Sequence, residues 1–219
     1  MIITIDGPAG SGKSTIAKEL AKKLHILYVD SGAMYRAVTY SILQNKIELS
    51  NSAVAEHLKT ISIKLEVIND TQETFLNELN VSKEIRSSEV TTTVSLVASL
   101  PAVRDWLLIQ QRIFAQQLDL IMDGRDIGTI VFPNAEYKFF LTASIEERAK
   151  RRTKEFESKG INATLDSIQQ EMIKRDTLDA SRTLAPLVKA DDAMEIDTTS
   201  LLIEEVIQLI LETLENKGQ

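Results

Sequence analysis

Gly7-Pro8-Ala9-Gly10-Ser11-Gly12-Lys13-Ser14 satisfies the pattern G-x-x-x-x-G-K-[ST], and what flanks it decides the fold. Ahead of it, Ile2 to Ile5 is a short apolar run closing at Asp6. Behind it, Ile16, Ala17, Leu20, Ala21 and Leu24 recur on one helical face. The reading is strand, glycine loop, helix. In that setting glycines let consecutive backbone N–H groups converge on phosphate oxygens, and the helix N-terminus adds partial positive charge. Lys13 then reaches the β- and γ-phosphates and the Ser14 hydroxyl ligates Mg²⁺, so the loop, Gly7 through Thr15, is expected to bind a nucleoside triphosphate.

Working outward, the alternation continues. Ile26 to Val29 reads as a buried strand stopping at Asp30, and Ala33 to Leu43 as a helix. Pro101 to Leu118 has the proline start of a helix. Leu120-Ile121-Met122 is a third core strand and Tyr137 to Thr142 a fourth, with charged helices over about 144–159 and 164–180. Ala193 to Asp197 is a last strand before an amphipathic helix from Leu201 to Leu214. Strands separated by helices predict an α/β protein with a parallel five-stranded sheet in three layers. Ile61 to Val67 breaks the rhythm, alternating apolar and polar with period 2. With a turn at Asn69-Asp70 and a partner over Thr74 to Val81, it predicts a small antiparallel insertion. The expected domains are a core of 1–58, 91–143 and 183–219, an insertion of 59–90 and a helical segment of 144–182.

Composition limits the function. The chain has 219 residues, 43% hydrophobic and 26% charged, and a net charge of −7, which disfavours sequence-independent nucleic-acid binding. The absence of cysteine excludes a disulfide scaffold and a thiolate nucleophile. His25 and His57 are the only imidazoles, far apart, and read as surface or core residues. No window approaches the roughly 18 apolar residues of a membrane span, and the first residues carry no basic leader, so a cytoplasmic protein without membrane partners is expected. A monomer is the plain expectation.

Six of the eight glycines (Gly7, Gly10, Gly12, Gly32, Gly124 and Gly128) follow three predicted core strands. Ligands bind at the carboxyl ends of parallel strands, so Asp30 to Arg36 and Asp123 to Thr129 are expected to share a site with the phosphate loop. A cationic run, Arg148, Lys150, Arg151 and Arg152 followed by Lys174, Arg175 and Arg182, supplies the arginines that phosphoryl transfer needs. It predicts an arginine-rich helical lid, with Arg148 and Arg152, one turn apart, as its candidates.

These motifs together resemble the P-loop nucleoside monophosphate kinases and, within them, the bacterial cytidylate kinases, which phosphorylate CMP and dCMP. The likeness spans nearly the whole chain. It rests on Gly7 to Thr15, Asp30 to Arg36, Val81-Ser82-Lys83-Glu84-Ile85-Arg86 with Glu89-Val90, Asp123 to Phe132, and the R-D-x-x-D-x-x-R spacing of Arg175, Asp176, Asp179 and Arg182. The resemblance implies that Arg36, Arg125 and Arg182 hold the acceptor phosphate, that Arg175 and Asp179 hold the ribose hydroxyls, and that Ser31, Ser95, Arg104 and Asp126 meet the base. It makes the antiparallel insertion a monophosphate-site domain. Lys13, Arg148 and Arg152 would stabilise the transferring group, and Asp123 is placed to orient Mg²⁺ through water behind Ser14. No general base is expected, since the acceptor phosphate is already anionic. Another monophosphate such as UMP or AMP stays open as acceptor, as does a nucleotide-driven switch, although Asn45-Lys46-Ile47-Glu48 lacks the Asp of the guanine-specifying N-K-x-D. A kinase for a small metabolite hydroxyl would need a base and would not need three arginines for one acceptor phosphate.

Overall fold

The computed structural model describes residues 1–69, 71–116, 118–158, 160 and 162–217. In chain order the elements are β1 (Ile2–Asp6), α1 (Lys13–Leu24), β2 (Leu27–Asp30), α2 (Ser31–Gln44), α3 (Asn51–Leu58), β3 (Ile63–Ile68), β4 (Thr71–Leu76) and β5 (Leu79–Asn80). There follow α4 (Ser88–Val97), α5 (Pro101–Phe114), β6 (Leu120–Gly124), β7 (Tyr137–Thr142), α6 (Ile145–Ser158), α7 (Leu165–Ala180), β8 (Met194–Asp197) and α8 (Ile203–Lys217). The α/β architecture has a five-stranded sheet in the order β2-β6-β1-β7-β8 and a three-stranded sheet in the order β3-β4-β5.

One compact unit comprises Met1–Leu27 and Asp119–Gln219. Its central strands are apolar along their length because both faces are covered: Ile3, Ile5, Leu120, Ile121 and Met122 are fully buried. β1 pairs in parallel with β6 from Ile2 opposite Leu120 to Asp6 opposite Gly124, and with β7 from Ile3 opposite Tyr137 to Asp6 opposite Phe140. This register ends β1 and β6 at one level, so the loop after Asp6 and the loop after Gly124 leave the sheet side by side. Helix α1 buries Ile16, Ala17, Leu20 and Ala21 and stops at His25, whose φ of 55° is the left-handed conformation that ends helices. α6 and α7 share an apolar cluster of Ala149, Ile168 and Met172, against which Ala9 of the phosphate loop also packs.

The second unit, Tyr28–Leu118, has its own core of Met34, Val38, Ile42, Val54, Leu58, Val97, Val103 and Leu107. Ser50 caps α3 by accepting from the Ala53 N–H, and Ser87 caps α4 through Val90 N–H. The antiparallel sheet pairs Ile63 with Leu76 through to Ile68 with Thr71. The partner expected as a single strand over Thr74 to Val81 is two strands. Asn77 and Glu78 both take positive φ, 47° and 67°, the mark of a type I′ turn that folds β5 back on β4. Asp70, half of the expected Asn69-Asp70 turn, lies outside the described residues, as does Lys159 in the expected 144–159 helix. His57 Nε2 sits 2.8 Å from Ser41 Oγ, joining α3 to α2 as a packed side chain. Among the described residues no single helix is long and apolar enough to cross a membrane.

Candidate active site

The phosphate loop begins where β1 ends. Gly7 has a φ of 143°, and a Cβ there would stand 2.0 Å from the Leu141 carbonyl oxygen, so only glycine passes. Lys13, the first residue of α1, is buried and folds back over the loop, donating from Nζ to Pro8 O at 2.7 Å and to Ser11 Oγ at 3.4 Å. Burial, and then the neighbouring Arg125 guanidinium, push its ammonium down to about 7, against the opposing pull of Asp123 and Asp6. A cation held partly discharged in this way gains most when a polyphosphate arrives.

Ser14 Oγ donates to Asp123 Oδ2 at 2.7 Å, joining the start of α1 to the end of β6. Both are hard oxygen donors, and Asp123 is buried. Among the described residues no group of three or more His, Cys, Asp and Glu could cage a metal. One or two protein oxygens with phosphates and water is the donor set that suits Mg²⁺, so the pair fits that ion.

Beyond β6, the loop carrying Arg125 and Asp126 runs into a π-helical turn, Ile127–Val131. Asp6 of β1 receives the N–H groups of Ile127 at 2.9 Å and Gly128 at 2.7 Å. Desolvation raises the Asp6 carboxyl to about 7 despite those two donors. Arg125 turns back to the end of α7, where its Nε donates to Asp179 Oδ2 at 3.0 Å. Arg182 Nη2 donates to Asp179 Oδ1, and Arg175 Nε lies 4.0 Å from Oδ2. One carboxylate, 1% exposed, therefore gathers three guanidinium groups. Burial would raise the Asp179 pKa, but Arg125, Arg182 and Arg175 in that order outweigh it and hold the carboxyl below its ordinary value. Burial, with Arg125 beside it, lowers Arg175 to about 10.

The arginines of α6 divide. Arg148 is buried, with Nε donating to Ala143 O at 3.0 Å and Nη1 to Ala9 O at 3.1 Å and Asp176 Oδ2 at 2.6 Å, so it is tied to the phosphate loop. Arg152 stands over the Phe156 ring, 4.5 Å from its centroid, and pairs with Glu155 at 2.6 Å. Arg151 donates to Thr198 O at 2.6 Å and Thr198 Oγ1 at 3.0 Å, and the same hydroxyl reaches Ser11 O at 3.1 Å.

In the second unit, Asp30 caps α2 by accepting from Ala33 N–H at 2.9 Å and pairs with Arg86 at 3.0 Å. Ser31 follows it, buried. Arg36 Nη1 donates to Ile85 O at 3.2 Å and Thr91 Oγ1 at 2.9 Å, so the arginine is held by the turn Glu84–Arg86 and by α4. Arg104 is buried, packs over the Tyr35 ring with its guanidinium carbon 5.6 Å from the centroid, and donates to the Tyr35 hydroxyl at 3.4 Å. Ser95 on α4 is buried too.

Comparison with known proteins places the chain. A family model described as cytidylate kinase matches residues 3–216. The chain belongs to the cytidylate kinase family. The cytidylate kinase of Geobacillus sp. (strain WCH70) is 52% identical over 211 residues, covering 96% of this chain and 94% of that protein. The cytidylate kinase of Listeria monocytogenes serovar 1/2a is 51% identical over 216 residues, 98% of this chain and 96% of its own. Among solved structures, an uncharacterized protein from Eubacterium ventriosum superposes with a TM-score of 0.52 at 15% identity, over 99% of this chain and 98% of that one, a likeness of fold alone.

Within this cytidylate kinase family member, hydrogen bonds and ion pairs join Ser14 to Asp123, and Arg125, Arg175 and Arg182 to Asp179, all in the first unit. Arg36 and Arg104 are held by separate partners in the second. Asp6 and Thr198 were assigned no role from sequence, and Tyr35 and Arg151 stood only within the longer stretches Asp30 to Arg36 and Arg148 to Arg152, with no role of their own. Asp6 had a visible signal, an acid closing an apolar strand directly before a glycine.

Proposed function

We propose that the protein transfers the γ-phosphoryl group of ATP to CMP and dCMP, giving the diphosphates, with Mg²⁺ at Ser14 and Asp123. The observation that carries the acceptor's identity is that the four polar residues assigned to the base, Ser31, Ser95, Arg104 and Asp126, are all buried. In the proposed assignment a carboxylate and a guanidinium complement cytosine. Its exocyclic amine donates to Asp126 while N3 and O2 accept from Arg104. Uracil would set N3–H against the guanidinium and O4 against the carboxylate, two buried mismatches.

The loop Gly7 to Thr15 binds ATP, its N–H groups and Lys13 taking the phosphates. Mg²⁺, when bound, neutralises charge on the transferring phosphates. Arg36, Arg125 and Arg182 grip the acceptor phosphate; Arg125 and Arg182 already share Asp179, so their forks are ordered before the substrate arrives. Arg175 and Asp179 take the ribose hydroxyls. An acceptor oxygen attacks the γ-phosphorus in line, with Lys13 and Arg152 meeting the charge spread over the transferring oxygens and Arg148 holding the loop beneath. No side chain is needed as a base, because the attacking oxygen carries its own charge. α6 and α7 serve as the lid. The cytoplasmic, monomeric state expected from sequence goes with this reading.

ADP formation from ATP and Mg²⁺ with CMP, dCMP, UMP, AMP, GMP and dTMP at matched concentrations tests it. Turnover dominated by CMP and dCMP is expected. Equal or better turnover with UMP or a purine contradicts the base assignment, and hydrolysis independent of any acceptor contradicts phosphoryl transfer.

A further inference from the structure

Thr198 stands one residue beyond β8, buried, and its hydroxyl meets three parts of the first unit at one point. Oγ1 lies within donating distance of Ser11 O on the phosphate loop, at 3.1 Å, and of Thr142 O at the end of β7, at 3.0 Å. It accepts from Arg151 Nη1 of α6 at 3.0 Å. Arg151 is itself held, through Nη2 to Thr198 O at 2.6 Å and through Nε to Glu147 Oε1 at 3.2 Å. A hydroxyl carries one proton and two lone pairs, and a guanidinium can only donate, so Arg151 fills a lone pair and turns the proton toward the two carbonyls. Thr142 O also receives the Thr198 N–H at 2.8 Å, whereas the bond to Ser11 O reaches across 187 positions of sequence to the phosphate loop.

Ser11 lies between Gly10 and Gly12, whose φ values are 77° and 91°. Turning the Ser11–Gly12 peptide plane over would carry Gly12 to a φ of the opposite sign, which glycine adopts about as readily. The local chain therefore does little to choose between the two orientations, and they differ in what they show an anion, because the C=O and N–H of a trans peptide point opposite ways. One offers the Gly12 N–H to a phosphate, and the other offers the Ser11 carbonyl oxygen, which repels it. We infer that Thr198 is a positioning residue for the nucleotide phosphates: its hydroxyl, oriented by Arg151, holds the Ser11 carbonyl outside the phosphate cradle and so keeps the Gly12 N–H directed into it. The inference rests on the binding of ATP at Gly7 to Thr15. None of the residues assigned to the acceptor takes part in this contact, so loss of the hydroxyl weakens ATP and leaves CMP unaffected.

The experiment measures kcat, KM for ATP with CMP saturating and KM for CMP with ATP saturating, in the unsubstituted protein, Thr198→Val and Thr198→Ser, with a thermal melt of each. Valine keeps the shape and removes the hydroxyl, and serine keeps the hydroxyl. KM for ATP is expected to rise about tenfold in Thr198→Val, with kcat and KM for CMP within about twofold, the pattern of lost binding rather than lost chemistry. In Thr198→Ser it should stay within about twofold of the unsubstituted value. An unchanged KM for ATP in Thr198→Val overturns the inference. So does a rise in both KM values alike, or a rise that Thr198→Ser shares, since either marks a side chain that merely supports the fold. Should Thr198→Val give no cooperative melt, Thr198→Ala against Thr198→Ser makes the same comparison: a higher KM for ATP in the alanine variant supports the inference, and equal values overturn it. Failure of the underlying reading is seen separately, as an unsubstituted protein whose phosphoryl transfer does not saturate with ATP.

Discussion

The hydroxyl of Ser14 donates to the carboxylate of Asp123 at 2.7 Å, across a parallel register that sets Ile5 opposite Asp123. This places one oxygen donor on the phosphate loop and one on the adjacent strand end. Asp123→Asn keeps the shape and removes the charge. The Mg²⁺ concentration for half-maximal activity is expected to rise about tenfold with KM for CMP unchanged. An unaltered Mg²⁺ titration would remove Asp123 from the metal site.

Asp179 pairs with Arg125, Arg175 and Arg182 from a position 1% exposed. Asp179→Asn leaves buried guanidinium groups without their shared anion and should cost about 3 kcal/mol in urea unfolding. The pH dependence has a defined sign. Because the folded carboxyl lies below its ordinary value, its stabilisation is complete above the ordinary carboxylate range and is lost as pH falls through the depressed folded value. The unsubstituted protein should therefore lose stability in the acid range more steeply than Asp179→Asn, as read from urea midpoints below about pH 4.

Lys13 sits at about 7 in the free protein because burial disfavours its charge. A bound polyphosphate favours the charged form and raises the pKa, so ATP binding near pH 8 should take up close to one proton. Calorimetry in buffers of different ionisation enthalpy measures this directly. Uptake that disappears in Lys13→Met assigns the proton to Lys13, and uptake that persists there assigns it elsewhere.

Gly7→Ala should destabilise the protein by about 3 kcal/mol or more, since its Cβ would meet the Leu141 carbonyl at 2.0 Å and its φ is 143°. A thermal melt matching the unsubstituted protein would contradict that close approach.

Much of this was legible because the strand ends announce themselves. β1, β2 and β6 are apolar runs closed by Asp6, Asp30 and Asp123-Gly124, so the loops that carry the phosphate motif and Arg125-Asp126 were identifiable from pattern alone. Helix α3 was not, having eight residues and only Val54 and Leu58 buried. The Asn77-Glu78 turn was hidden because Glu stands where glycine usually marks a positive φ. The capping of the Ile127 turn by Asp6 depends on strand register, which no local pattern encodes. The charge pattern of α6 also could not separate Arg148, buried against Ala9 and Asp176, from Arg152, which stacks on Phe156.

The central claim is that Asp126 reads the cytosine amine, and kcat/KM for CMP and UMP in the unsubstituted protein and in Asp126→Asn tests it most directly. The unsubstituted protein should prefer CMP by about 100-fold or more, and the amide, able to donate to uracil O4, should narrow or reverse that preference. A preference for CMP that survives Asp126→Asn undiminished, or one absent from the outset, would contradict the account.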